Sequence, residues 1–143
     1  MPAVRTDTSG LLDVVNLVAQ IVWADFRRSG RQIEPTQWAT LRFLARGACS
    51  VSELARHKAV SLPTMSKSVD MLARRGWVAR VVDEGDRRHT LVQLTAAGRR
   101  TLADCRRRAE EVLGQRLAGL SPAEQAQVGD ALGLLKRTLE AEA

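Results

Sequence analysis

Residues 50–95 read S VSELARHKAV SLPTMSKSVD MLARRGWVAR VVDEGDRRHT LVQLT, and their changing periodicity decides the fold. Ser50-Val51-Ser52-Glu53 is a capping box: the Ser50 hydroxyl accepts from the Glu53 amide, and the Glu53 carboxylate reaches back. It opens a short helix to about His57. Lys58-Ala59-Val60 is a tight connection. Ser61 then caps a second helix, with Pro63 tolerated in its first turn. Met65, Val69 and Leu72 form its apolar stripe, and Arg74-Arg75-Gly76 closes it. The period then falls to two. Val78 to Val82 and Thr90 to Leu94 read as strands, with Asp83-Glu84-Gly85-Asp86 as the turn between them.

Two short helices on a tight turn, followed by a basic hairpin, predict a winged helix-turn-helix. In such a unit the second helix enters the major groove with its N-terminal residues at the base edges. Ser61, Pro63, Thr64, Ser66, Lys67 and Ser68 hold those positions. Small hydroxyls and one cation suit close approach to bases and phosphates; they equally suit an ordinary solvated helix start. Arg87 and Arg88 follow Asp86 at the hairpin tip. Guanidinium groups there can reach a minor groove, with Asp86 orienting one of them by a charge-assisted hydrogen bond. The plainer reading is a charged cluster that keeps an edge strand from aggregating.

Outward from this unit the chain reads as helix. Residues from about Gly10 to Arg28 carry Leu11, Val14, Val15, Val18, Ile21, Val22 and Trp23, with Leu12, Leu17 and Ala19 widening the stripe. That face is too broad for one-sided packing, so the helix is expected to bury one side in its own domain and the other in a partner chain. Pro35 starts a second helix through Trp38, Leu41, Leu44 and Ala45. Thr95 caps a long helix with its stripe at Leu102, Cys105, Ala109, Val112, Leu113 and Leu117. Ser121-Pro122-Ala123-Glu124 is another capping box, opening a last helix with Val128, Ala131, Leu132, Leu135 and Leu139.

Composition agrees with one folded domain over 1–143. Of 143 residues 45% are hydrophobic and 27% charged, while aromatics are only 3%, so the core must be built from Leu, Val and Ala. The net charge of +6 favours an anionic partner. Between Arg74 and Arg108 ten arginines face four acids, so the whole excess gathers around the proposed wing and the helix after it. No apolar run approaches the roughly 20 residues that span a bilayer. Met1 to Gly10 lacks a signal-peptide pattern. A cytoplasmic protein with no membrane partner is expected.

The segment from Ile33 to Thr95 resembles the MarR family. The likeness is carried by Ile33-Glu34-Pro35-Thr36-Gln37-Trp38 with Leu41 and Leu44, by Ser52-Glu53-Leu54-Ala55, by the run from Ser66 to Arg80, and by Asp83-Glu84-Gly85-Asp86-Arg87-Arg88 followed by Leu94-Thr95-Ala96-Ala97-Gly98. The resemblance implies a mainly α fold with a small β-hairpin wing. Residues 34–95 would be the DNA-binding lobe, and 8–33 with 96–143 a helical region joining an obligate homodimer. It implies a repressor that binds a pseudo-palindromic operator in double-stranded DNA. The family's wing arginine maps onto Arg88, with Arg87 in support, and its recognition positions onto Pro63, Thr64, Ser66 and Lys67. Two departures stand out. Glu34 replaces the usual Thr or Ser cap. Ala59 stands where Gly is frequent, so the turn is expected to avoid positive φ there.

Family members commonly respond to small aromatic or phenolic effectors, antibiotics or oxidants. By location Trp23, Trp38 and Arg42 would line such a pocket; the alternative is plain core packing. Some relatives sense peroxide through a cysteine on the first helix, which this chain lacks. A redox-responsive regulator would have to use Cys49 or Cys105. Cys105 lies on an apolar stripe, where a free Cys behaves as a small hydrophobe. No zinc spacing or metal cluster is visible around His57 and His89, no cofactor motif occurs, and no catalytic motif argues for an enzyme. A protein–protein module that kept this fold but lost DNA binding would be expected to lose the tip arginines, and both are present.

Overall fold

The computed structural model describes residues 7–141; the first six residues of the polar N-terminal stretch and the last two of the chain lie outside the described residues. Along the chain come α1 (Thr8–Arg28), α2 (Pro35–Leu44), β1 (Cys49–Ser50), α3 (Val51–Lys58), α4 (Leu62–Arg74), β2 (Val78–Val82), β3 (Thr90–Leu94), α5 (Ala96–Leu117) and α6 (Pro122–Glu140). The architecture is mainly helical with a small antiparallel sheet in the order β1-β3-β2. It is a winged helix-turn-helix.

Helix starts follow the hydroxyl caps. Ser50 accepts from the Glu53 amide at 3.1 Å while the Glu53 carboxylate accepts from the Ser50 amide at 2.7 Å. Ser121 and Glu124 repeat the pattern at α6, and Thr95 caps α5 by accepting from the Gly98 amide at 3.0 Å. Such caps satisfy donors that the helix itself leaves free. Glu34 makes no cap bond with its own side chain; its amide donates to Gln37 Oε1 at 3.0 Å.

The core gathers Phe26, Leu41, Leu44, Leu54, Val69, Leu72 and Val92, all essentially inaccessible to water. Met65, Val69 and Leu72 are the buried stripe of α4. Gly98 fixes how α5 joins the lobe. A Cβ there would collide with the backbone carbonyl of Trp77, and the same junction is tied by the Thr95 hydroxyl donating to the Gly76 carbonyl. Close approach of two backbones is what a glycine without Cβ permits.

Four expectations from the sequence need correction. Ala59 does not avoid positive φ: it sits at φ 52°, ψ 43°, because α3 can close onto the following turn only through a left-handed residue. The Val60 amide donates to the Ala55 carbonyl at 3.0 Å and the Ala59 amide to Arg56 at 3.2 Å. The wing loop is longer than Asp83–Asp86. Strand pairing stops at Val82 and Thr90, and the loop between is pinned by Asp83 donating to the His89 carbonyl at 2.9 Å and His89 to the Asp86 carbonyl at 3.0 Å. A third strand is present. Cys49 and Ser50 pair with Val92 and Leu91, so the hairpin is anchored to the start of α3.

The fourth correction concerns α1. By length and composition it is apolar enough to cross a membrane. A helix whose apolar stripe wraps most of its circumference has the same composition as a span. Here Val22 and Phe26 face the core, and the buried Asp25 is held by Arg108 of α5 through two hydrogen bonds of 2.7 Å. The Arg108 guanidinium holds the Asp25 carboxyl below its ordinary range. Much of the remaining apolar stripe is exposed: Leu12 is 65% exposed, Val15 56% and Leu17 56%. Helix α6 buries none of its residues.

Candidate nucleic-acid interface

Helix α4 begins with Ser61 as N-cap, its hydroxyl 3.3 Å from the Thr64 amide and 2.8 Å from the Thr64 hydroxyl. These two hydroxyls are therefore committed first to each other. Pro63 lies exposed in the first turn. Lys67 is flanked two residues away on each side by buried Met65 and Val69, a spacing of about 200° that aims it away from the core. It is exposed and, among the described residues, pairs with no acid. Ser66 and Ser68 are half-buried on its flanks.

The wing is braced. Asp86 accepts from Arg88 Nε at 3.1 Å, from an Arg88 terminal nitrogen at 3.3 Å and from the Arg88 amide at 3.1 Å. These bonds to Arg88, with the neighbouring His89, hold the Asp86 carboxyl below its ordinary range. The Arg88 side chain is still 88% exposed, so the carboxylate fixes its direction without hiding it. Asp86 thus orients Arg88 rather than Arg87. Arg87 borders a shallow cleft with Val82, Asp83 and Glu84.

A further ion pair was not legible in the sequence. Arg80 of β2 donates to Asp70 of α4 at 2.7 Å, tying the helix to the wing. Ten residues separate the pair, and only the turn at Gly76, φ +74°, folds them together. Beside it, Arg75 lies over the Trp77 ring at 3.8 Å.

The three pocket candidates divide. Trp38 and Arg42 line a cavity of about 690 Å³ between α2, β3 and α5, with Arg99, Leu102, Arg106 and Leu113. The Trp38 Nε1 atom itself is buried, without a hydrogen-bond partner among the described residues. Trp23 is not part of that lining; it packs edge-on against Trp38 and Phe26 at 5.3 and 5.2 Å and is core. Both cysteines are poor thiolates. Cys105 is buried and Cys49 half-buried, and burial pushes both thiols up. Among the described residues no group of three or more His, Cys, Asp or Glu could hold a metal ion.

Comparison with known proteins agrees with this fold. Residues 31–89 match the MarR family model. The chain is 32% identical over 101 residues to an uncharacterized HTH-type transcriptional regulator of Mycobacterium bovis, covering 70% of this chain and 71% of that one. It is 33% identical over 94 residues to the uncharacterized HTH-type transcriptional regulator YfiV of Bacillus subtilis, covering 66% of this chain and 59% of the relative's length. In fold it is similar to the transcriptional regulator Tm0710 of Thermotoga maritima, with a TM-score of 0.79 at 23% identity over 94% of each chain. The helix-turn-helix, its wing and these matches together place the chain in the MarR family of winged helix-turn-helix transcriptional regulators.

Proposed function

We propose that the chain binds double-stranded DNA as a homodimer and represses transcription until a small effector releases it. The observation that carries the reading is the wing. Arg88 projects into solvent on a loop, and its guanidinium is aimed by two hydrogen bonds to Asp86, which also accepts from the Arg88 amide. A pre-oriented guanidinium loses less freedom on meeting a phosphate or a narrow minor groove. In this reading Ser61, Pro63, Thr64, Ser66, Lys67 and Ser68 enter the major groove, with Lys67 as the leading cation and Asp70–Arg80 holding helix and wing at one angle.

Dimerisation is supported by the apolar surface left over. Leu12, Val14, Val15, Leu17 and Val18 of α1 and Leu132, Leu134 and Leu139 of α6 are exposed. A monomer rarely leaves such a surface in water. Residues 8–33 and 96–143 would form the joined region. Two recognition helices about 34 Å apart would then meet successive major grooves of a pseudo-palindromic site.

For the effector, the Trp38–Arg42 cavity suits a small aromatic acid or phenol. Its wall is mostly aliphatic, and Arg42 and Arg99 offer positive charge, while Arg106 is held by Glu110 of the same wall. A ligand there touches α2 and α5 together and so can favour one separation of the recognition helices. A redox switch is disfavoured by the raised thiols.

The test is fluorescence anisotropy of wild type and Arg88→Ala on DNA from upstream of the chain's own gene. Tight binding should lose about 10³–10⁵-fold between 50 and 200 mM salt if on the order of 6–10 phosphates are neutralised. Arg88→Ala should bind measurably more weakly. A salt-independent affinity, or a variant equal to wild type, sinks the reading.

A further inference from the structure

A second positive cluster lies apart from the wing. Arg42 and Arg46, one helical turn apart, stand at the end of α2 and just beyond it, and His57 and Lys58 close α3. With Ala39 and Phe43 they line a cleft of about 240 Å³. Phe43 stacks on His57 with ring centroids 4.0 Å apart, which fixes the imidazole beside the cleft. No carboxylate is in the lining.

Some cations elsewhere find acids, such as Arg80 with Asp70, Arg88 with Asp86, Arg106 with Glu110, Arg107 with Glu111 and Arg108 with Asp25; others among the described residues stand singly on the surface, as Lys67 does, and what sets Arg42, Arg46 and Lys58 apart is that they share one cleft. Among the described residues, Arg42, Arg46, His57 and Lys58 pair with none. The two helix ends offset part of this charge, at about half an elementary charge each. Three fixed cations against about one unit of opposite charge still leave roughly two in excess. Lys58 feels the imbalance: burial, then the charge of Arg42, lowers its affinity for the proton. Like charges held together without acids are stabilised by an anion of matching size, and arginine favours phosphate through paired donors.

We propose that Arg42, Arg46, His57 and Lys58 form a phosphate-binding cleft separate from the recognition helix and wing. A DNA backbone phosphate is the favoured source. Lys58 also lines the neighbouring groove that contains Thr64 and Ser68 of α4, so the cleft adjoins the face that would meet the duplex. A small phosphorylated molecule offers the same chemistry. The DNA arm of the test rests on the chain being a DNA binder; the free-phosphate arm does not.

The test compares wild type, Arg46→Gln/Lys58→Gln, and Arg116→Gln/Arg137→Gln, which removes equal charge from α5 and α6. Thermal melts confirm folding, and sedimentation confirms that each variant keeps the wild-type oligomeric state. Binding of a random-sequence duplex is measured over a salt series, and inorganic pyrophosphate binding is measured by titration calorimetry. Backbone contact predicts that the first variant lowers the salt slope by about 0.9 per lost contact and that the second does not. A free-phosphate site predicts saturable pyrophosphate binding to wild type that the first variant alone abolishes. If neither arm separates the variants, the cleft is no phosphate site. If wild type binds no duplex, the DNA-binding reading fails by itself, and pyrophosphate alone decides the cleft.

Discussion

Replacing Ala59 by glycine should stabilise this protein, although it deletes a methyl group at the turn of the helix-turn-helix. Ala59 sits at φ 52°, ψ 43°. An L-residue there presses its Cβ toward the following carbonyl oxygen, at a cost of about 1–2 kcal/mol. The conformation is enforced from both sides, by the bonds that close α3 and by the Ser61 cap that opens α4. Glycine removes the steric cost but returns about 0.4–1 kcal/mol through the greater freedom of the unfolded chain. The methyl itself is exposed, so its loss leaves no cavity. Taking the middle of each range, the net gain is about 0.8 kcal/mol, or about 2–3 °C in Tm for a chain of this size. Urea denaturation followed by circular dichroism is the assay, at fixed protein concentration because an associating chain has concentration-dependent stability. The midpoint should rise with an unchanged slope. An unchanged or lower midpoint would refute the argument that Ala59 stores backbone strain.

Other outcomes follow from single contacts. Gly98→Ala should destabilise by about 3 kcal/mol or more, beyond the usual overpacking range, because its Cβ meets the Trp77 backbone rather than a yielding side chain; a wild-type denaturation midpoint would show that the α5 junction can shift freely. Asp25 has its folded pKa lowered, so its contribution is fully present above the unfolded carboxylate value of about 3.9 and is lost as pH falls through the lower folded one. Asp25→Asn should flatten that acid segment of the stability curve, which denaturation at a series of pH values would reveal. Leu134→Glu, at a residue 58% exposed, should shift the mass seen in sedimentation toward a monomer; an unchanged species would place α6 outside the proposed interface.

The order of elements could be read from the sequence by itself, because its signals are local. Hydroxyl caps at Ser50, Ser61, Thr95 and Ser121 announce helix starts within three residues. The change from the Met65-Val69-Leu72 spacing to alternation after Val78 marks the step from recognition helix to wing. The sequence also showed that α1 carries more apolar surface than one small lobe can bury. What only the tertiary structure decided depends on residues distant in the chain. Cys49 and Ser50 become a strand only because Val92 and Leu91 lie beside them. Asp86 could be assigned to Arg88, and Trp23 separated from Trp38, only from side-chain geometry. Asp25 with Arg108, and Asp70 with Arg80, carry no periodic signal, since an ion pair needs two groups close in space and neither sits at a fixed spacing from the other. The handedness of Ala59 was misread for the same reason. Local preference disfavours alanine there, and the closure of two helices onto each other outweighs that preference.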